Sequence, residues 1–564
     1  MNGFLSPPKP RVKIGLPFWI LMACALFVFN DSTLRAEEVG GEVAGEQERL
    51  PNAVSDDFQI AVEQINRQLR RGYQTNQVDS AGACDDRVFV RRVYLDLVGR
   101  IPKLAELNEF LEDGPDAKRD RARLIEQLLQ GEEHVVHWAD LFDTLLMGRA
   151  AEDKYSKRRQ HQWRSFLENA IRLNQPWNEF VEEILLARPA DVAKRGGNWF
   201  LFERNNDYQR IAEAVAPAIF GVRIECAQCH DHMLVDEIKQ SHYWGLVAFF
   251  NRGKNENGKA GPQVAESAIG GFSEFADLLG DSSPNLLAFL EVDTVDEQRP
   301  EKDVKQPDAD ELYMPGRLEN TPRVPTFSRR EKFVNEVVRE HPRVASALVN
   351  RVWALLMGRG IVHPFDEMDS AHDPSHPELL DWLSEDFRKN GYNVRRLIRA
   401  IVSSDAYQLA SRRPAGIDDP ATFAYYLERS LTGEQLARSA QIALLGNSSG
   451  DAGLVAAFRQ RFPDLLPDDQ IANVKESLFL SNSQVVHDLL ISSKQPNHLI
   501  PRLEKMDDNQ QRVEELFQVM FSRSPDVQEA AVVSAYLSKR EGTAEAIRQV
   551  AWSMLTSAEF RYNH

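Results

Sequence analysis

Apolar positions recur every three to four residues along most of this chain, the period of a helix that buries one face. In the stretch 54–69, Phe58, Ile60, Ala61, Ile65 and Leu69 share one broad face. The same spacing predicts helices over 87–97, 104–111, 117–129, 135–146, 163–173, 177–186, 207–220 and 238–250. Gly99 and Pro102 close the helix at 87–97, and Gly221 closes the one at 207–220. Two-residue alternation is confined to a short run at 198–202. Helices resume at Arg330 and continue over 344–356, 377–387, 394–403, 423–444, 473–490, 511–521, 527–537 and 544–557. Between the two helical halves the pattern changes. Gly253, Gly258, Gly261, Gly270, Gly271 and Gly280 cluster there, followed by Pro300, Pro307, Pro315, Pro322 and Pro325. Such a stretch reads as a surface linker with irregular or partly β structure. The expected fold is therefore mainly α. Helical domains at 50–252 and 329–564 are joined by a Gly/Pro-rich linker at 253–328. No fixed-period repeat is visible, which argues against a solenoid.

The first 36 residues have a different character. Lys9, Arg11 and Lys13 precede an apolar stretch from Ile14 to Phe29, and Leu34-Arg35-Ala36 follows as a cleavage site. That order is an export signal. The apolar stretch is short for a spanning helix, which needs about 20 residues. Cleavage and retention as an N-terminal membrane anchor are the two outcomes. Leu21-Met22-Ala23-Cys24 has the form of a lipidation box, but the chain stays apolar after the cysteine. The expected location is the periplasm or cell envelope.

Composition narrows the function classes. The 564 residues carry a formal charge of −18. Residues 1–36 hold four basic groups and one acidic group, so the remainder is near −21. A strongly acidic chain lacks the basic face that nucleic acid requires. Beyond residue 36 only Cys84, Cys226 and Cys229 remain, too few for a disulfide scaffold. Cys84 reads as a lone thiol near a helix start.

Cys226-Ala227-Gln228-Cys229-His230 is the sharpest motif. C-x-x-C-H is the attachment signature of c-type haem. The two thiols add across the porphyrin vinyl groups, and the adjacent imidazole becomes the proximal iron ligand. Cys226, Cys229 and His230 are thus the candidate binding residues for one covalent haem c, with His230 on the iron. His232 and Met233 lie too close in sequence to reach the opposite face of the ring. His242, twelve residues on, is a marginal candidate; His372 and His376 are geometrically freer but unsupported by spacing, and the sixth ligand is left unassigned. Two alternatives stand beside haem. The thiols form a disulfide, or Cys226, Cys229 and His232 with a distant fourth group hold a divalent metal such as zinc.

A second constellation lies at 363–376, with three histidines and four carboxylates in fourteen residues. His363, Asp366, His372 and His376 are candidate metal or acid–base groups. The competing explanation is structural. Ser375 and Glu378 have the spacing of a capping box, with His376 and Pro377 in the first helical turn. No phosphate-binding glycine loop, G-x-S-x-G elbow or H-E-x-x-H is present.

Several stretches resemble one family. Ile219-Phe220-Gly221-Val222, the run Cys226 to His232, and Trp244-Gly245-Leu246-Val247-Ala248-Phe249-Phe250 resemble the cytochrome-like domain of secreted planctomycete proteins. Arg91-Arg92-Val93-Tyr94-Leu95-Asp96-Leu97-Val98-Gly99 resembles the start of that domain. Asn350-Arg351-Val352-Trp353, Gly358-Arg359-Gly360-Ile361-Val362, the run Ser375 to Leu383 and the C-terminal Ser557 to His564 resemble its usual companion domain. The chain departs from the pattern at Met233, where the family usually has proline, and it lacks the extra haem module of many members. The resemblance implies a helical, two-domain exported protein and assigns no activity. Three function classes follow. One is a single-haem protein that exchanges electrons with a redox partner protein. The second is an extracytoplasmic metal-dependent enzyme linked to polymer breakdown. The third is an interaction protein with a disulfide or metal at Cys226 and Cys229.

Overall fold

Helices occupy most of the structure because their apolar stripes find one another. The computed structural model describes residues 54–564 apart from 113–119, 190–191, 260, 302–303, 316–320, 449–451, 463–464, 466–473 and 541–542. The expected signal or anchor at 1–36 lies outside these residues. Among the described residues no helix is long and apolar enough to cross a membrane. The first helix, Val54–Asn76, runs seven residues beyond its expected end and buries Ala61, Ile65 and Leu69. Trp177–Leu186 has the bounds its periodicity predicts.

Three expectations fail for identifiable reasons. The run at 198–202 is helical rather than extended, because Trp199, Phe200 and Leu201 are all buried and no polar face alternates with them. The helix expected over 423–444 is only Gly433–Leu445. Phe423 takes a positive φ of 51°, and Arg429–Ser430 pairs instead with Tyr562–Asn563 at the C-terminus. Glu152–Gln160 is a helix that periodicity missed. It is highly charged and buries only Tyr155 and Arg158, so it carries almost no apolar signal.

The glycine-rich segment forms three small antiparallel hairpins. Gly253–Gly258 pairs with Gly261–Glu266, Glu274–Ala276 with Ser282–Pro284, and Leu287–Phe289 with Val292–Val295. The last hairpin lies across the helix Gln240–Phe250. A Cβ at Gly245 would collide with the carbonyl oxygen of Ala288, so the glycine in Trp244-Gly245-Leu246 permits that close approach.

Packing crosses the boundary that composition suggested. One apolar core draws on residues from Ala61 to Tyr426, including both helical halves and the hairpins. A second gathers residues 431–560 and takes in Leu95 and Ile101. The helix Asp86–Val98 joins the two cores, with every side chain from Phe89 to Val98 buried. Its polar residues are anchors. Arg91 donates to the carbonyls of Met520 (3.0 Å) and Phe560 (3.4 Å). Arg92 donates to those of Leu409 (2.8 Å) and Tyr407 and lies 3.5 Å from the Tyr426 ring centre. Asp96 accepts from the Tyr407 hydroxyl (2.7 Å), Asn563 Nδ2 (2.7 Å) and Arg429. The Arg91-to-Gly99 motif is thus a strut tying the N-terminal half to the C-terminus.

Candidate functional site at the C-x-x-C-H turn

The helix Tyr208–Val215 does not run on to Phe220 as a regular helix. It widens into a π-turn over Ala216–Phe220, where Pro217 removes a backbone donor. Gly221 then reverses the chain with a φ of +69°. Buried Val222, Ile224 and Ala227 pin the following segment to the core. Glu225–Gln228 forms one 3₁₀ turn, and both cysteines stand exposed on its outer side. Both are free thiols in this structure. Cys84 is the third free cysteine and is buried, its amide donating to the Gln408 carbonyl (2.8 Å).

Two side chains hold the turn. The Gln228 carbonyl accepts from Gln240 Nε2 (3.2 Å) and Trp244 Nε1 (3.0 Å). Gln240 also donates to the Ala276 carbonyl (3.1 Å), fixing the second hairpin beside the turn. Asp231 accepts from the Gln240 amide (2.8 Å). Farther on, Val235 and Ile238 are buried, while Met233 and Leu234 are 83 % and 81 % exposed.

His230 has its Nδ1 2.6 Å from the carbonyl oxygen of Asp231. A carbonyl only accepts, so Nδ1 carries the proton and Nε2 keeps its lone pair. That is the tautomer a metal-bound imidazole requires. The other histidines are engaged elsewhere. His232 Nδ1 accepts from the Leu234 amide (3.3 Å). His242 Nδ1 accepts from the Lys239 amide at the start of its helix (3.2 Å), and burial lowers its pKa.

The segment 363–376 packs directly against this region. The Met368 amide donates to the Gly221 carbonyl (2.8 Å). Arg223 bridges to Asp366 and Glu367, both at 3.0 Å. Glu237 accepts from the backbone amide (2.8 Å) and hydroxyl (2.7 Å) of Ser370. The two constellations read from the sequence are therefore neighbours, stitched at three points. Arg223, Glu237 and Ser370 were not legible beforehand. Each is an ordinary polar residue until the fold sets it opposite its partner.

Among the described residues no group of three or more His, Cys, Asp or Glu side chains is arranged to hold a metal ion. His372 places Nδ1 2.8 Å from Asp369 and Nε2 3.3 Å from Glu367, so both ring nitrogens are occupied. His376 lies apart, packed under Gly72 of the first helix and near the Phe423 ring. His363 precedes a cis proline. The expected capping box is also absent. The N-cap of Pro377–Lys389 is His376, with no side-chain cap. Ser375 instead donates its hydroxyl to the Ile361 carbonyl (3.1 Å), and Glu378 reaches Arg71 (3.4 Å).

Asn350 explains a further motif. Buried in Pro342–Met357, it donates to the Val362 carbonyl (2.9 Å) and accepts from the Val362 amide (3.0 Å). One amide side chain thereby closes the turn that leads into 363–376.

Comparison with known families gives two matches. Residues 64–255 match PSCyt2, a protein of unknown function (DUF1549), and residues 329–453 match PSD1, a protein of unknown function (DUF1553). No curated protein and no solved structure matches the chain. The C-x-x-C-H turn lies inside the first match and the 363–376 segment inside the second. Two segments of the chain therefore match families of unknown function, PSCyt2 followed by PSD1.

Proposed function

We propose that this chain is an exported, single-haem c-type cytochrome-like protein that exchanges electrons with a redox partner protein. The observation that carries the reading is the pairing of two exposed, free thiols with an imidazole whose Nε2 is left available. In this reading Cys226 and Cys229 hold the haem through thioethers and His230 Nε2 binds the iron. Haem supplies a one-electron couple there. The chain's own contribution is to fix the imidazole. The Asp231 carbonyl holds its proton on Nδ1, and Gln240 and Trp244 hold the Gln228 carbonyl that shapes the turn. Exposed Met233 and Leu234 offer apolar cover beside it. In this reading the N-terminal stretch 1–36 directs the rest of the chain to the periplasm or cell envelope, either cleaved or kept as an anchor. His372 has both ring nitrogens occupied, and His232 and His242 each accept through Nδ1, so none of them is assigned as a further iron ligand.

The test is expression of the chain in an exporting host with c-haem maturation machinery, followed by a reduced-minus-oxidised spectrum and an intact mass. A sharp reduced α-band and one haem of added mass, both lost in Cys226→Ala with Cys229→Ala, support the proposal. A colourless protein at the apo mass overturns it. A mass lower by two hydrogens would then identify a Cys226–Cys229 disulfide instead.

A further inference from the structure

A groove of about 980 Å³, open to solvent, lies beside the C-x-x-C-H turn. It is bounded by the start of the helix Tyr208–Val215, by the helix Gln240–Phe250, and by the base of the hairpin that pairs Glu274–Ala276 with Ser282–Pro284. Two partly exposed aromatic rings line it, and both are tethered by their polar ends. Trp244 donates through Nε1 to the Gln228 carbonyl (3.0 Å), and the Tyr208 hydroxyl donates to the Gly253 carbonyl (2.9 Å). What these rings leave for a ligand is flat surface. Val247 is the one aliphatic side chain in the lining, and it is buried.

The rest of the lining is rich in amide and carboxylate side chains held in place from behind. Gln209 donates through Nε2 to the Tyr243 hydroxyl (3.3 Å), which donates to Glu213 (2.9 Å), so Gln209 Oε1 is left as an acceptor. Glu274 accepts from the Ser282 hydroxyl through Oε2 (2.8 Å) and keeps Oε1. Asn285 is 5 % exposed. Its Nδ2 donates to Ser273 Oγ (2.8 Å) and its amide to the Ser273 carbonyl (2.9 Å). Arg299 donates to the carbonyls of both residues (3.1 and 3.2 Å), which fixes this wall. Yet Asn285 Oδ1 is buried with no partner, a costly state for an acceptor unless something donates to it. No lysine or arginine lines the groove.

We propose that this groove binds a neutral oligosaccharide, as a segment of a polysaccharide chain. The C–H face of a pyranose is apolar and slightly positive, so it packs on the negative face of an aromatic ring. Sugar hydroxyls each donate and accept, and they would meet Gln209 Oε1, Glu274 Oε1 and the Asn285 amide around the ring edge. An anionic chain would face Glu274 and Asp207 with no cation in the wall. A proline-rich peptide also uses aromatic grooves, but this lining offers its side chains only buried Val247. The groove shares Trp244 with the C-x-x-C-H turn and requires no haem, so it stands or falls apart from the redox reading.

Calorimetric titration of the full chain with cellohexaose, xylohexaose, mannohexaose and maltohexaose tests this, with hexagalacturonate and decaproline as the competing ligand classes. Saturable binding at one site is expected for at least one neutral hexasaccharide. Trp244→Ala should weaken it by about tenfold or more, and Trp244→Phe, which keeps a ring, by less. Glu274→Ala, on an exposed hairpin residue, should weaken it by about fivefold and carries the test if Trp244→Ala fails to fold by circular dichroism. No saturable heat with any neutral hexasaccharide up to about 10 mM overturns the proposal. So does hexagalacturonate or decaproline binding as tightly as the best sugar, or sugar binding that the folded variants leave unchanged.

Discussion

Lowering the pH from 7.5 to 5 should destabilise this protein steeply, and His137 should carry a separable share. His134 and His137 lie one helical turn apart in Glu132–Met147 and are both 1 % exposed. His134 places Nδ1 2.9 Å from the Leu97 carbonyl. His137 Nδ1 has no partner. Burial lowers their pKa values to about 4 and about 3, and His564 at the C-terminus falls to about 4 for the same reason. An unfolded histidine titrates near 6.5. Above that pH neither state binds the proton, and the histidines make no pH-dependent contribution. Below it the unfolded chain binds protons that the folded chain refuses, so stability falls as pH falls, by about 1.4 kcal/mol per unit per group. At pH 5 each histidine has cost about 2 kcal/mol. Three together cost about 6 kcal/mol, comparable with the whole stability of an ordinary domain. His161, His242 and His376 are lowered by burial and act in the same sense. Carboxyls raised by burial, Asp143 and Glu213 among them, act in the opposite sense. A variant isolates one group from this net slope. Urea unfolding followed by tryptophan fluorescence at about pH 7.5, 6 and 5 should show His137→Asn losing about 2 kcal/mol less than the wild type across that range. Equal slopes for the two proteins, or no wild-type loss by pH 5, would refute the reasoning.

Two structural predictions follow from the strut and the stitch. Asp96→Asn removes the buried counter-charge of partly buried Arg429 and should cost about 3–5 kcal/mol in urea unfolding. Adding Arg429→Met should recover part of the loss, and a cost below about 1 kcal/mol would mean that the network is not a strut. Gly221→Ala places a Cβ 2.8 Å from Met368 Sδ and 3.1 Å from the Ala347 methyl, at a positive φ. It should cost about 2–3 kcal/mol and speed hydrogen exchange at the Met368 amide, whereas wild-type exchange there would show that this contact does not bind the two segments.

The site was half legible in the sequence. Cys226, Cys229 and His230 announce themselves by adjacency, since the chemistry needs them consecutive. The turn that presents them was foreshadowed by Gly221, but the π-turn was not, because its cause is a single proline within an otherwise regular apolar pattern. The 363–376 segment was recognised by its composition, yet its histidines do not converge. His372 is held between two carboxylates and His376 is drawn under the first helix, choices made by partners more than 250 residues away in the case of Gly72.

By itself the sequence determined that the chain is helical, where most helices lie, and which five residues form the candidate haem attachment. Those properties depend on neighbours within a few positions, through apolar period and covalent adjacency. Tertiary structure decided the rest. It set Asp86–Val98 between two cores, laid a hairpin over Gly245, and joined the C-x-x-C-H turn to 363–376. Each of these depends on which surfaces and charges meet across long separations, and a one-dimensional pattern does not contain that information.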